Sequence, residues 1–149
     1  MWNDVKYTPG TLKVVTYNAQ GKAVAEEEVR TAGPPHHIKL EANQTKLRAD
    51  GEDLAFVTAS VVDAQGTLCP NATPSLRMQV SGTGRFRAVS NGDPTDLEVF
   101  HQPQMHAFSG QLVVIVQAST TAGDVQLKVS GKGLHSALLR LQAEKATVQ

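Results

Sequence analysis

Short strand patterns, each closed by a turn signal, recur along most of this sequence, and that repetition constrains the fold more than any other feature. The first two, Thr11–Tyr17 (TLKVVTY) and Ala23–Arg30 (AVAEEEVR), flank Asn18-Ala19-Gln20-Gly21, whose side chains favour a reversal, so a β-hairpin is predicted. Thr31-Ala32-Gly33-Pro34-Pro35 follows. Its two prolines lack the N–H groups a sheet ladder needs, and the boundary between the hairpin and the rest of the chain is placed there.

Beyond that boundary, strand candidates lie at residues 38–42, 54–62, 75–81, 85–90, 112–118 and 125–130. Between them fall Asp50-Gly51, Asp63-Ala64-Gln65-Gly66, Gly82-Thr83-Gly84, Asn91-Gly92 and Gly123-Asp124, all chemistry for positive φ or tight reversals. Val125, Leu127 and Val129 alternate with Gln126, Lys128 and Ser130, as in a strand with one wet face. Leu112-Val113-Val114-Ile115-Val116 is apolar without alternation, which predicts a central strand covered on both sides. Near the end, Leu134, Ala137, Leu138 and Leu141 have helical spacing, while Ala137, Leu139 and Leu141 also alternate. Residues 136–143 are read as the last strand, because a sandwich otherwise lacks cover for one edge. The pattern predicts an all-β, immunoglobulin-like sandwich with an extra N-terminal hairpin.

A chain of 149 residues has room for one real core. Fourteen basic and fourteen acidic residues give zero net charge, so no broad field draws the chain to nucleic acid or anionic lipid. The longest apolar run is far shorter than the ~20 residues of a membrane helix. The start lacks the basic and apolar regions of a signal peptide, which suits a cytoplasmic protein or, as favoured here, an internal piece of a larger one. Cys69 is the sole cysteine, so neither an intrachain disulfide nor a cysteine-based zinc cage is available, and its plain reading is a small buried or turn-side residue.

Catalytic patterns are weak. Hydrolysis by a carboxylate pair needs two such groups flanking the scissile bond, one with a raised pKa. Glu26-Glu27-Glu28 alternates faces along a strand and Asp50, Glu52 and Asp53 flank a turn, so solvated charge explains both groups. Asn91, Asp93, Asp96 and Glu98 supply oxygens in one loop that suit a hard cation such as calcium, or equally a turn capped by its own Asx side chains, the favoured reading. Of the five histidines, His36 and His37 are adjacent on an extended chain and are expected to point apart, and His101 and His106 lack a third ligand. There is no Gly-x-Ser-x-Gly elbow, dinucleotide fingerprint or phosphate loop; Gly82-Thr83-Gly84 is too short for one. Aromatic content is 5%, with Trp2, Tyr7 and Tyr17 near the start, which argues against a broad aromatic platform for sugars. No catalytic, cofactor-binding or metal-binding residue is assigned, and no cofactor is expected.

Several phrases nonetheless carry a family resemblance. Tyr7-Thr8-Pro9-Gly10-Thr11-Leu12-Lys13, followed by Val29-Arg30-Thr31-Ala32-Gly33, resembles the close of an immunoglobulin-like domain of bacterial glycoside hydrolase family 2 β-galactosidases. Leu47-Arg48-Ala49-Asp50-Gly51, Val62-Asp63-Ala64-Gln65-Gly66, Asn91-Gly92-Asp93-Pro94, Phe108, Gly110 and residues 112–117 resemble the terminal, invasin-like immunoglobulin domain of the same enzymes. The pattern departs between Pro94 and Phe108, where Met105 and His106 stand at positions the family fills with basic residues.

The resemblance implies that residues 1–33 close a truncated neighbouring domain and that 34–149 form a complete one. It implies further that the acid/base and nucleophile glutamates lie upstream in a barrel, and that the setting is periplasmic or secreted. The expected function is a non-catalytic, structural one: a sandwich that supports or orients the catalytic barrel of a β-galactosidase-like hydrolase. The expected partners are that barrel and the neighbouring immunoglobulin-like domain, with a homodimer through the 1–33 hairpin as a further expectation and neither nucleic acid nor membrane. A carbohydrate-binding module and an adhesin-like surface domain are the alternatives; binding sugar requires exposed aromatic residues on one face or loop cluster.

Overall fold

The computed structural model describes residues 6–145, so Trp2 lies outside the described residues. Regular structure among them is strand throughout: β1 (Thr11–Tyr17), β2 (Ala23–Arg30), β3 (His37–Ala42), β4 (Lys46–Arg48), β5 (Leu54–Val62), β6 (Ser75–Gly82), β7 (Gly84–Ser90), β8 (Gln104–His106), β9 (Gln111–Ala118), β10 (Gly123–Gly131) and β11 (Ala137–Glu144). All but β4 and β8 coincide, within two residues at each end, with runs legible in the sequence. β4 and β8 have only three residues each, too few for a periodic pattern to show.

The strands form a separate two-stranded sheet, β1-β2, and two larger ones ordered β4-β11-β10-β6-β8 and β3-β5-β9-β7. Among the described strands pairing is antiparallel except between β4 and β11, and an isolated bridge between His37 and His135 is also parallel. The chain leaves β3 in one sheet and enters β4 in the other, so a single extended stretch borders both layers. The C-terminal ambiguity resolves as strand: Leu127 pairs with Leu139, and Leu141 and Ala143 turn inward while Arg140 and Gln142 face out. Tertiary pairing on both flanks of β11 outweighs its local helical preference.

The two larger sheets enclose one core. Val57 and Val61 of β5, and Val114 and Val116 of β9, meet Leu76 of β6 and Val125, Leu127 and Val129 of β10, all 0% exposed. Burying such side chains stabilises by ~1.5–3 kcal/mol each relative to exposure, which is what holds two sheets face to face. The buried polar side chains are satisfied: Gln111 Nε2 donates to Ser60 Oγ at 2.9 Å, and Gln117 Nε2 donates to the Gly51 carbonyl at 2.7 Å. The chain turns from β6 in one sheet to β7 in the other at Gly82-Thr83-Gly84. Gly82 has φ 85°, and a Cβ there meets the Asp124 carbonyl oxygen at 2.0 Å; a Cβ at Gly84 meets Val125 Cγ1 at 2.5 Å. These glycines let the corner lie directly against β10.

One expectation needs correction. The apolar run from Leu112 to Val116 is central but covered on one side: Leu112, Val114 and Val116 are buried, whereas Val113 and Ile115 face outward and remain partly exposed. Its neighbours β5 and β7 supply no second layer, because the other sheet lies on the inner side.

Candidate functional site

The acidic groups occupy structural positions. Glu26 pairs with Lys13 at 2.5 Å and Glu28 with Arg30 at 2.6 Å on the hairpin surface, while Glu27 stands opposite Val14. Asp50 Oδ1 accepts the N–H groups of Glu52 and Asp53, both at 2.8 Å, and these bonds hold its carboxyl below the usual range. Asp53 Oδ2 accepts the Arg48 N–H at 2.7 Å. A general acid needs its pKa raised, so the shift at Asp50 runs the wrong way for that role.

The loop after β7 is a chain of Asx turns. Asn91 Oδ1 accepts the Asp93 N–H at 3.0 Å, Asp93 Oδ1 accepts both the hydroxyl and the N–H of Thr95, and Asp96 Oδ1 accepts the Glu98 N–H at 2.8 Å. Gly92 takes φ 78° at the corner, and the Thr95 hydroxyl and N–H hold Asp93 below the usual carboxylate range. Oxygens that a cation requires are thereby committed to the loop's own donors. Glu98 also reaches His106, bonding its ring Nδ1 and its backbone N–H, while His101 rests near the Arg87 carbonyl. His101 and His106 thus serve different partners.

The histidines at the junction depart from expectation. His36 and His37 do not point apart: their Nδ1 atoms lie 3.1 Å from each other, one donating to the other. His135 joins them, its ring centroid 4.7 Å from that of His36, because its backbone N–H bonds the His36 carbonyl and its carbonyl accepts the Ile38 N–H. Sequence distance hid this third member. Among the described residues, no group of three or more His, Cys, Asp or Glu side chains is arranged to hold a metal ion.

Asp63 fastens the linker to the sandwich. Its Oδ2 accepts the Gly33 N–H at 2.8 Å, and Oδ1 accepts those of Gln65 and Thr67 at 3.0 and 2.8 Å. The Gly33 bond is the main reason its carboxyl is held below the usual range. Cys69 sits beside this contact with its thiol directed at the Gly33 carbonyl, and burial pushes its pKa up, away from the reactive thiolate.

What remains for function is surface. The outer face of the five-stranded sheet is polar, with Arg77, Gln79, Lys128, Arg140 and Gln142 exposed. The outer face of the four-stranded sheet differs: Phe56 is 44% exposed, and Val113, Ile115 and Ala88 are partly exposed around it. Beside it, Thr58, Ser90, Ser109, Phe108 and Val113 line an open cleft of about 570 Å³ with no charged side chain. Ser109, at its rim, is the one described residue other than glycine with positive φ, at 50°. On the hairpin, Leu12, Val14 and Val29 share one uncovered face.

The geometry is that of an immunoglobulin-like β-sandwich joined to a separate two-stranded hairpin. The comparisons give the family. The model for the glycoside hydrolase family 2 C-terminal domain 5 matches residues 38–140, and one for a domain of unknown function, DUF4982, matches residues 1–25. A Bacteroides ovatus β-galactosidase is 40% identical over 141 residues, covering 95% of this chain and 16% of that protein. Among solved structures, a glycosyl hydrolase family 2 member from Bacteroides cellulosilyticus superposes with TM-score 0.89 at 28% identity, covering 95% of this chain and 18% of that one. A β-glycosidase from Bacteroides vulgatus gives TM-score 0.86 at 31% identity, covering 93% of this chain and 18% of its own. The chain therefore belongs to the glycoside hydrolase family 2 C-terminal domains, and spans about one-sixth of the length of the relatives it matches.

Proposed function

We propose that this chain is the non-catalytic, accessory end of a β-galactosidase-like hydrolase, spacing or orienting a catalytic barrel that other parts of the polypeptide provide. The carrying observation is the alignment of 95% of the chain with 16% of a β-galactosidase. The commitment of Asp50, Asp63 and Asp93 to turn and linker hydrogen bonds supports the same reading, since each carboxyl is shifted away from an acid's requirement. The test is hydrolysis of an aryl β-galactoside. The longer polypeptide cleaves it and this chain does not; turnover by this chain above a buffer blank, abolished by changing one of its carboxylates, contradicts the reading.

Within that reading, residues 1–33 close a neighbouring immunoglobulin-like domain and 34–149 form the terminal one. The separate match of residues 1–25 to a second family model supports the division. Cut off from its neighbour, the hairpin offers unpaired strand edges, and pairing with the hairpin of a second copy gives a dimer that depends on residues 1–33. Light scattering at rising concentration checks this, and a chain that stays monomeric throughout counts against it. Carbohydrate contact, the other alternative, falls on the exposed rings of Phe56 and Phe108.

A further inference from the structure

β9 is apolar at every position from Leu112 to Val116, and in this chain it is covered on one face. The register places Phe56, Ile115 and Ala88 side by side across β5, β9 and β7, with Thr58, Val113 and Ser90 in the next outward row. These six positions carry no charge, but charged side chains border them closely: Glu41 of β3 stands opposite Thr58, Lys39 opposite Ser60, and Arg85 and Arg87 are exposed on β7, Arg87 immediately before Ala88. An apolar centre with a polar and charged rim is the anatomy of a protein interface.

The loop along the free edge of β7 carries exposed apolar side chains of its own. The Phe100 carbonyl accepts the Val89 N–H at 2.8 Å, which holds the loop against that edge. Leu97, Val99 and Phe100 are 96%, 54% and 51% exposed there. Local packing within the chain does not account for three large apolar side chains in solvent. Each of the two larger sheets has one large exposed apolar residue on its strands, Phe56 here and Leu138 opposite; the difference lies in their neighbours, partly exposed Val113 and Ile115 around Phe56 against Lys128 and Arg140 around Leu138.

We infer that the outer face of the β3-β5-β9-β7 sheet, centred on Phe56, Val113 and Ile115, docks against an uncharged apolar surface on another domain of the same longer polypeptide. This rests on the proposed accessory role and adds the face through which it is exercised. The length of the relatives argues for that occupant: in the solved Bacteroides proteins the matching region is 18% of a single chain, so most of the polypeptide lies outside it. An uncharged centre also disfavours a nucleic acid or an anionic surface as occupant.

The experiment is thiol labelling of Phe56→Cys, with Lys128→Cys on the polar face as control. Cys69 is buried and gives the background rate. Each variant is made both in this chain and in the longer polypeptide. Covering of the patch slows labelling at position 56 by about tenfold or more in the longer polypeptide, as expected for a side chain at a desolvated interface core, with position 128 unchanged. Ile115→Lys restores fast labelling at 56. Equal rates at position 56 in both settings overturn the inference. So does protection in this chain alone that grows with its concentration, which assigns the face to a second copy, or protection that requires added galacto-oligosaccharide, which assigns it to a glycan. The aryl-galactoside assay on the unlabelled longer polypeptide separates failure of this inference from failure of the accessory role.

Discussion

The hairpin and the sandwich are written in the same residue alphabet and end in opposite states. β1 and β2 carry Leu12, Val14, Val24 and Val29, yet these are 54–68% exposed. β5 and β9 carry the same residue types, and Val57, Val61, Val114 and Val116 are 0% exposed. The hairpin is held by its ladder, by the Asn18 side chain accepting the N–H groups of Gln20 and Lys22, and by surface ion pairs. Such exposed pairs contribute little, and two strands alone are marginal in water. β-propensity suffices to shape a strand, whereas stability requires a second layer.

The sharpest way to break that contrast is to remove matched leucines. Leu127→Ala in the core should cost ~2–5 kcal/mol, read from the urea midpoint, whereas Leu12→Ala on the hairpin should stay within ~0.5 kcal/mol. Comparable losses would mean that the hairpin carries a core of its own. Next in size is the corner: Gly82→Ala places a Cβ against a backbone carbonyl at positive φ, and a cost of ~1–3 kcal/mol is expected with the hairpin's circular dichroism signal unchanged.

Acid should loosen the junction. Asp63, Asp50 and Asp93 have lowered pKa values in the folded chain, so the unfolded chain binds protons first as pH falls. Their contribution is complete above the ordinary aspartate value of about 3.9 and is lost as pH drops through the lower folded-state values. The urea midpoint should therefore fall below about pH 4, and Asp63→Asn should flatten part of that dependence because the Gly33 bond is weakened from the outset. The smallest effect expected is calcium at the Asn91 loop, whose oxygens already accept its own N–H groups. Titration calorimetry should show no micromolar site, and one lost in Asp93→Ala would restore the cation reading.

The strands were legible because alternation and glycine punctuation are local signals. β10 shows this best, with Val125, Leu127 and Val129 facing in as their spacing predicts. The short β4 and β8 were not legible, since Leu47 and Met105 are single apolar residues whose burial depends on partners far along the chain. The Asn91 turn could be read from its residues alone. The histidine cluster could not: His135 reaches His36 only through backbone pairing between distant segments. Nor could periodicity show that Val113 and Ile115 lack a cover within this chain, because an unbroken apolar run does not record on which side the second sheet lies.

Hydrogen exchange on this chain, followed amide by amide at neutral pH, bears most directly on the division between a self-sufficient sandwich and a dependent hairpin. The amides of β5, β9 and β10 should exchange only through global unfolding, while those of β1 and β2 exchange orders of magnitude faster, through local opening that a small addition of urea barely changes. If the hairpin amides instead matched β9 in protection and were lost in the same urea-dependent transition, the two regions would be one cooperative unit and the account would be wrong.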